Sequence, residues 1–242
     1  MGRQNAIELA SRGADLVINY ANSAPAAYNV IEEIRALRRQ AIAVKADMSR
    51  SADVVSLLNE TMEHYGHIDI VVSNSGVESF GHISEVTPEE FDRVFAVNTR
   101  GQLLVAQQAY KHLTPGDRLI MLSPISAQAK SVRNHSVYSS IKCAVEAFVR
   151  CLAVDMGDKK ITVNAIAPGG IKTDMYTEVA RKYIPGSENW SDEKVDEVAS
   201  SWYPLGRPGV PRDISRAVAF LSSEDGSWMN GQVVTLGGGA AM

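Results

Sequence analysis

The amino-acid sequence predicts a single α/β domain over residues 1–242, a doubly wound parallel sheet with helices on both faces. Three observations predict it. Helix-like and strand-like segments alternate along the whole chain. The strand-like segments are continuously apolar, as strands buried on both faces are, instead of alternating. No internal repeat or low-complexity linker divides the 242 residues.

The elements follow in order. Ala6, Ile7, Leu9 and Ala10 make a helical stripe that stops at Gly13, and Asp15–Tyr20 reads as a buried strand. Ser23-Ala24-Pro25 starts a helix carried by Val30, Ile31, Ile34 and Leu37. Ala41–Ala46 is the next strand, Asp53–Tyr65 the next helix and Ile68–Ser73 a further strand. Thr87-Pro88-Glu89-Glu90 has the form of a capping box and opens one long helix to His112. Strands at Arg118–Ser123 and Ile161–Ala167 flank a helix from Ser136 to Gly157. From Pro168 to Tyr203 the pattern is irregular. The stretch 175–209 is expected to form a substrate lid, with Trp190 and Trp202 as lid or core anchors. Pro211–Ser222 is a last helix and Gln232–Leu236 a last strand.

Composition excludes several function classes. The chain has 24 Lys+Arg against 28 Asp+Glu, a net charge of −4, with 45% hydrophobic residues. That balance excludes collagen-like, disordered and disulfide-scaffold chains, and it carries no basic footprint for nucleic acid or an anionic membrane. No apolar run approaches the ~18 residues of a membrane span, and Met1–Ala6 lacks the apolar core of a signal peptide. Cys143 and Cys151, eight residues apart on one helix, would lie ~12 Å apart, too far for a disulfide. Reduced thiols and a cytoplasmic location are expected, and no metal ligand set is. Without secretion, the sequons Asn134-His135-Ser136 and Asn189-Trp190-Ser191 carry no weight.

The sharpest chemical signal is Tyr138-Ser139-Ser140-Ile141-Lys142. On a helix, positions i and i+4 share a face. An ammonium beside a phenol stabilises phenolate, so Lys142 is expected to draw the Tyr138 pKa down toward the range of a working acid/base. The pair lies between a strand ending at Ser123 and one ending in Asn164-Ala165-Ile166-Ala167-Pro168-Gly169-Gly170.

With these residues the sequence resembles the short-chain dehydrogenase/reductases, over essentially its whole length. Ser73-Asn74-Ser75-Gly76 is similar to the family's NNAG motif, Asn98 matches its catalytic Asn, and Tyr138 and Lys142 match its catalytic pair. Pro168-Gly169-Gly170-Ile171 with Thr173 matches the segment that closes over nicotinamide, and Asp47-Met48 the residues at the adenine. More narrowly, Ser73–Gly81, Asn98–Gln102 and Gly157–Asn164 resemble fungal polyhydroxynaphthalene and versicolorin-type reductases. That likeness implies a Rossmann-like fold, NADPH-dependent reduction of phenolic polyketide ketones, and a homo-oligomer, dimer or tetramer. In the mechanism it implies, Tyr138 donates a proton to the ketone oxygen, Lys142 holds the ribose, and Asn98 positions a relay water. Pro124, Ile125, Gly170 and Tyr183 would line the substrate, Tyr183 as the stacking aromatic. Asn19-Tyr20-Ala21-Asn22-Ser23 has no carboxylate for a ribose 2′-hydroxyl, so Arg3, Asn22 and Ser23 suit a 2′-phosphate and hence NADP(H). Ser23 serving only as a helix cap is the competing account.

Three departures from the family pattern follow. The position of the catalytic Ser is Pro124, which has no side-chain donor, leaving Ser123 or Ser126 as substitutes. Ile141 stands where a small residue is usual. Of the family's first strand and TGxxxGxG turn only Gly2 and Arg3 remain, so the sheet is expected to lack its usual first strand. The strands around Val17 and Val71 would then have two unpaired edges unless they close up or another segment fills the gap. The sequence therefore supports three functions. They are an NADPH-dependent ketone reductase, a cofactor-free enzyme using Tyr138 and Lys142 for proton transfer, and a non-catalytic oligomer partner.

Overall fold

The computed structural model describes residues 1–128, 132–174 and 176–240; Met175, the first residue of the expected lid, lies outside the described residues. The first half of the chain runs α1 (Gly2–Ser11), β1 (Leu16–Tyr20), α2 (Ala24–Ala36), β2 (Ala41–Lys45), α3 (Ser51–Tyr65) and β3 (Ile70–Ser73). It continues through α4 (Pro88–Phe95), α5 (Gln102–His112), β4 (Arg118–Leu122), α6 (Ser136–Asp155) and β5 (Thr162–Pro168). The remainder is α7 (Tyr176–Tyr183), α8 (Asp192–Ser200), α9 (Pro211–Ser222) and β6 (Val233–Leu236).

All strand pairs are parallel, with Val17 opposite Ile42, Val71 opposite Leu119, Leu119 opposite Val163 and Ile166 opposite Val234. β4 and β5 are buried at every position, which is why their sequences are apolar without alternation. One face is covered by α3, α5 and α6 through Val54, Leu58, Val105, Ala109, Val145 and Val149. On the other face α1 and α9 meet the sheet through Leu9, Ile214, Val218 and Leu221. Ala6 and Ala10 pack with Val30 and Ile34 of α2.

The sheet is interrupted where the sequence analysis expects it to be. β1 pairs only with β2, and β3 begins a separate run β3-β4-β5-β6. β1 and β3 do not close up. A cavity of about 510 Å³ separates them, lined by Val17 and Ile18, Val71 and Val72, Leu9 of α1 and Leu58 of α3. Tyr65 reaches into this slot and donates to the Leu16 carbonyl at 3.2 Å. Asn5, only 3% exposed, also lines it, and neither atom of its amide has a partner among the described residues.

Two expectations are corrected. The single helix from Thr87 to His112 is two helices joined by a π-helical turn, Ala96–Gly101. Thr87 caps the first as expected, its hydroxyl accepting from the Glu90 N–H at 3.2 Å. Gly101 ends the turn because any Cβ there would collide with the Met48 carbonyl. The irregular stretch after Pro168 contains α7 and α8. Ala180, Ile184, Val195 and Ala199 close a small core between them, with Trp190 packed against it and Trp202 left exposed. Ser191 caps α8 by accepting from the Lys194 N–H at 3.3 Å.

Candidate active site

α6 carries Tyr138 and Lys142 one turn apart on one face. It is held against the π-helical turn by Thr99, whose hydroxyl donates to the Ile141 carbonyl at 2.8 Å. Ile141 is 2% exposed and packs with Val94 and Val137, so the large residue before Lys142 serves this helix contact. The π turn aims Asn98 inward, where it is fully buried. Its side-chain oxygen accepts from the Val77 N–H at 2.8 Å and its amide donates to the Val77 carbonyl at 2.7 Å. Asn98 thereby locks the segment that leaves β3. A Cβ on Gly76 would sit 3.2 Å from Asn98 Oδ1 and 3.5 Å from Lys142 Nζ. Glycine there lets the chain pass directly over these two groups.

The electrostatics differ from expectation. Lys142, 3% exposed, donates through Nζ to the Leu122 carbonyl at 3.0 Å, and burial pulls its pKa down to about 8. Burial, and then the Glu78 carboxylate, push Tyr138 up to about 12. Lys142 therefore does not draw the Tyr138 hydroxyl down; desolvation outweighs it.

A wall of rings faces Tyr138. The Tyr183 hydroxyl and His135 Nε2 share a hydrogen bond of 2.7 Å. The His135 ring lies edge-on to Tyr138 at 5.5 Å and to Phe80 at 5.0 Å, and Phe80 meets Tyr183 at 5.6 Å. Sequence reasoning placed Tyr183 here and missed His135 and Phe80. A signal was present, since His135 stands three residues before Tyr138 and so shares its side of α6.

Around the departures, Pro124 opens a short 3₁₀ turn, Ile125–Ala127, with extended backbone at φ −71°. The Ser123 hydroxyl is fully buried and shares its one proton between the Lys142 carbonyl at 3.2 Å and Glu146 at 3.3 Å. Ser126 Oγ is buried with no partner among the described residues. Of the two hydroxyls named as substitutes, Ser123 is committed to α6 and Ser126 is not. Ile125 packs over Gly237, where a Cβ would meet its Cδ1 at 2.5 Å.

The remaining residues ring the carboxyl ends of the strands, the usual ligand position of a doubly wound sheet. Gly2 opens α1 next to Asn74, whose amide nitrogen would be 3.1 Å from a Cβ and whose Oδ1 is buried without a partner among the described residues. Asn22 and Ser23 follow β1 and are exposed; Ser23 occupies the N-cap position of α2 but makes no side-chain cap bond. Arg3 forks onto Glu33 of α2 at 2.8 and 2.7 Å on the surface. Asp47 follows β2 and accepts from the Ser49 N–H and hydroxyl at 2.9 and 2.8 Å, which hold its carboxyl below the usual range. Met48 is buried behind it, and Ser75 continues the turn from Asn74. Pro168 ends β5; Gly169 lets the backbone approach Gly237, and a Cβ on Gly170 would strike the Tyr203 hydroxyl. Ile171 bridges to Gly209, and Thr173 follows at the rim.

The sequence profile described as enoyl-(acyl carrier protein) reductase matches residues 1–241. A trihydroxynaphthalene reductase of Pestalotiopsis fici is 56% identical over 242 residues, covering 100% of this chain and 86% of the relative. A probable tetrahydroxynaphthalene reductase of Zymoseptoria tritici is 55% identical, covering 100% of this chain and 91% of the relative. Among solved structures, an angucycline C-6 ketoreductase with bound NADP superposes with a TM-score of 0.86 at 32% identity, covering 98% of this chain and 90% of that one.

Proposed function

Because the chain belongs to the short-chain dehydrogenase/reductase family, we propose that it reduces the ketone of a phenolic, polyketide-derived substrate with NADPH. The observation that carries this reading is the convergence of Asn98, Lys142 and Gly76 beneath Tyr138, beside a wall of aromatic rings.

NADPH, when bound, supplies the hydride. The groove fits it at three places. Lys142, with one of its three N–H donors used on Leu122, would hold the ribose, while Asn98 fixes the β3 segment beside it. Asn22 and Ser23, with no carboxylate at the end of β1, suit a 2′-phosphate. The Asn74 side-chain amide nitrogen, a donor, lies against Gly2 at the N-terminus of α1, where free N–H groups attract phosphate.

The chain's own part is proton supply and placement. With its pKa near 12, Tyr138 keeps its proton throughout the neutral range. An alkoxide forming on the substrate is more basic than this phenol, so Tyr138 donates as the carbonyl oxygen gains charge. The protonated phenol present at neutral pH is the form that can donate in the reductive direction. Pro124 offers no second hydrogen bond to that oxygen, and Ser126 is the hydroxyl on the same turn that has no partner among the described residues. The exposed rings Phe91 and Phe95, stacked at 5.9 Å on α4, and the exposed Leu103 of α5 support a homo-oligomer, dimer or tetramer.

The test is a titration of the purified chain with NADPH, followed by thermal melting and by NADPH oxidation with a bicyclic phenolic ketone. A raised melting temperature and turnover are expected, the turnover falling at least about 100-fold in Tyr138→Phe. No shift at millimolar NADPH overturns the reading.

A further inference from the structure

We propose that His135 is a positioning residue that sets the substrate class: by holding the Tyr183 hydroxyl it fixes that ring as a wall opposite Tyr138, selecting flat, fused-ring phenolic ketones over small aliphatic ones. The inference rests on the reductase reading and adds to it a residue that touches neither substrate nor cofactor.

Tyr183 is the last residue of an eight-residue helix and is followed by Ile184-Pro185-Gly186. Its ring has two free torsions, and a stacking surface is only as selective as it is still. Beyond His135, the polar tie from this end of the lid to the strand ends is Lys182 to Glu78 at 3.4 Å, a part-exposed pair of small energetic weight. The short bond to His135 is the stronger restraint.

His135 is itself a rigid post. It is 1% exposed, and its carbonyl accepts from the Ser139 N–H at 2.9 Å in the first turn of α6. The preceding carbonyl, of Asn134, accepts from the Gly81 N–H at 2.9 Å, tying the post to the loop that carries Phe80. The ring is held edge-on between Phe80 and Tyr138. Tyr138 stands three residues further along the same helix end. Fixing Tyr183 to His135 therefore fixes the stacking ring relative to the proton donor through one turn of one helix. Burial keeps His135 neutral, with its pKa down to about 4, so the bond persists across the working pH range.

A binding cycle tests this without requiring turnover. 2-Naphthol is titrated into the wild-type chain, His135→Phe, Tyr183→Phe and the double variant. Phe at 135 keeps a ring and deletes the bond; Tyr183→Phe deletes the same bond from the lid side should His135→Phe fold poorly. Each single variant is expected to weaken binding about tenfold, with the double variant no weaker than either single one. His135→Gln, whose amide reaches the position of Nε2, is expected to recover most of the loss. In turnover, the ratio of kcat/KM for 6-hydroxy-1-tetralone to that for cyclohexanone is expected to fall about tenfold in His135→Phe. Wild-type affinity in both single variants, losses that multiply in the double variant, or a wild-type chain that takes no naphthol each overturn the proposal. Normal naphthol binding without NADPH oxidation sinks the reductase reading instead, and the binding cycle then decides the role of His135 by itself.

Discussion

Pro124 stands in the proposed site at the position where the family resemblance places a serine. An oxyanion-type hydrogen bond is worth roughly 10²–10³ in rate where it has been removed from other enzymes. Pro124→Ser is therefore expected to raise turnover at least about tenfold, measured as NADPH oxidation at saturating ketone. If Ser126 already fills the role, Pro124→Ser leaves the rate unchanged and Ser126→Ala lowers it. Lys142 governs the pH dependence. Its pKa of about 8 means that the ammonium is present below pH 8 and lost above it, while Tyr138 stays protonated throughout. kcat/KM is expected to be level up to about pH 7.5 and to fall above pH 8; a profile still level at pH 9.5 would show that the ammonium is not used. His135 affects stability in the opposite direction of pH. Its folded pKa of about 4 lies below the ordinary 6.5, so the unfolded chain binds the proton first as pH drops. Stability is then lost between pH 6.5 and 4, by on the order of 2–3 kcal/mol, and His135→Gln should flatten that part of the melting-temperature profile.

The element that most shapes the site is the π-helical turn between α4 and α5. One additional residue per turn swings Asn98 into the interior and brings Gly101 onto the Met48 carbonyl. Gly101→Ala adds a methyl group where backbone already stands, and the neighbouring backbone cannot rotate away as a side chain can. A loss of about 1–3 kcal/mol is expected, read by denaturant melting, with a weakened NADPH affinity if Met48 and its neighbour Asp47 border the groove proposed for the nucleotide. The lid pair α7 and α8 is a smaller device, closed over Ala180, Ile184, Val195 and Ala199. Ser191→Ala removes the α8 cap and should cost about 1 kcal/mol, enough to increase proteolysis of the lid without unfolding the sheet.

Across the whole molecule, the dominant feature is the slot between β1 and β3. Two parallel strands present unpaired backbone groups to a cavity of about 510 Å³, next to a buried Asn5 amide that has no partner among the described residues. Edge groups shut away from water and left without partners are costly. An apolar strand of about five residues, the length of β1, joined by a short loop to Met1, would pair with both edges. It is expected to raise the melting temperature by roughly 5–10 °C and to tighten NADPH binding, since α1 starts at the strand ends. An unchanged melting temperature would mean that the slot is already satisfied by collapse or by water.

Alternation of apolar strands with amphipathic helices, the Tyr138–Lys142 pair, and unpaired edges at Val17 and Val71 were all legible in the sequence. Each depends on spacing within one element or on a pattern repeated along the chain. Four features were not legible: the π turn under Asn98, the Arg3–Glu33 fork, the commitment of Ser123 to Lys142 and Glu146, and the His135–Tyr183 bond. The last three join residues far apart in the chain, 30 positions for Arg3 and Glu33 and 48 for His135 and Tyr183, and the π turn, though local, shows its purpose only in the Asn98–Val77 bonds across 21 positions. Periodicity shows that a face will be buried and is silent on what it will meet. The same limit applies to the Tyr138 pKa. Proximity of Lys142 in sequence suggested a lowered value, and the depth of the site, which exists only once α6 packs beneath the lid and the β3 loop, raised it instead.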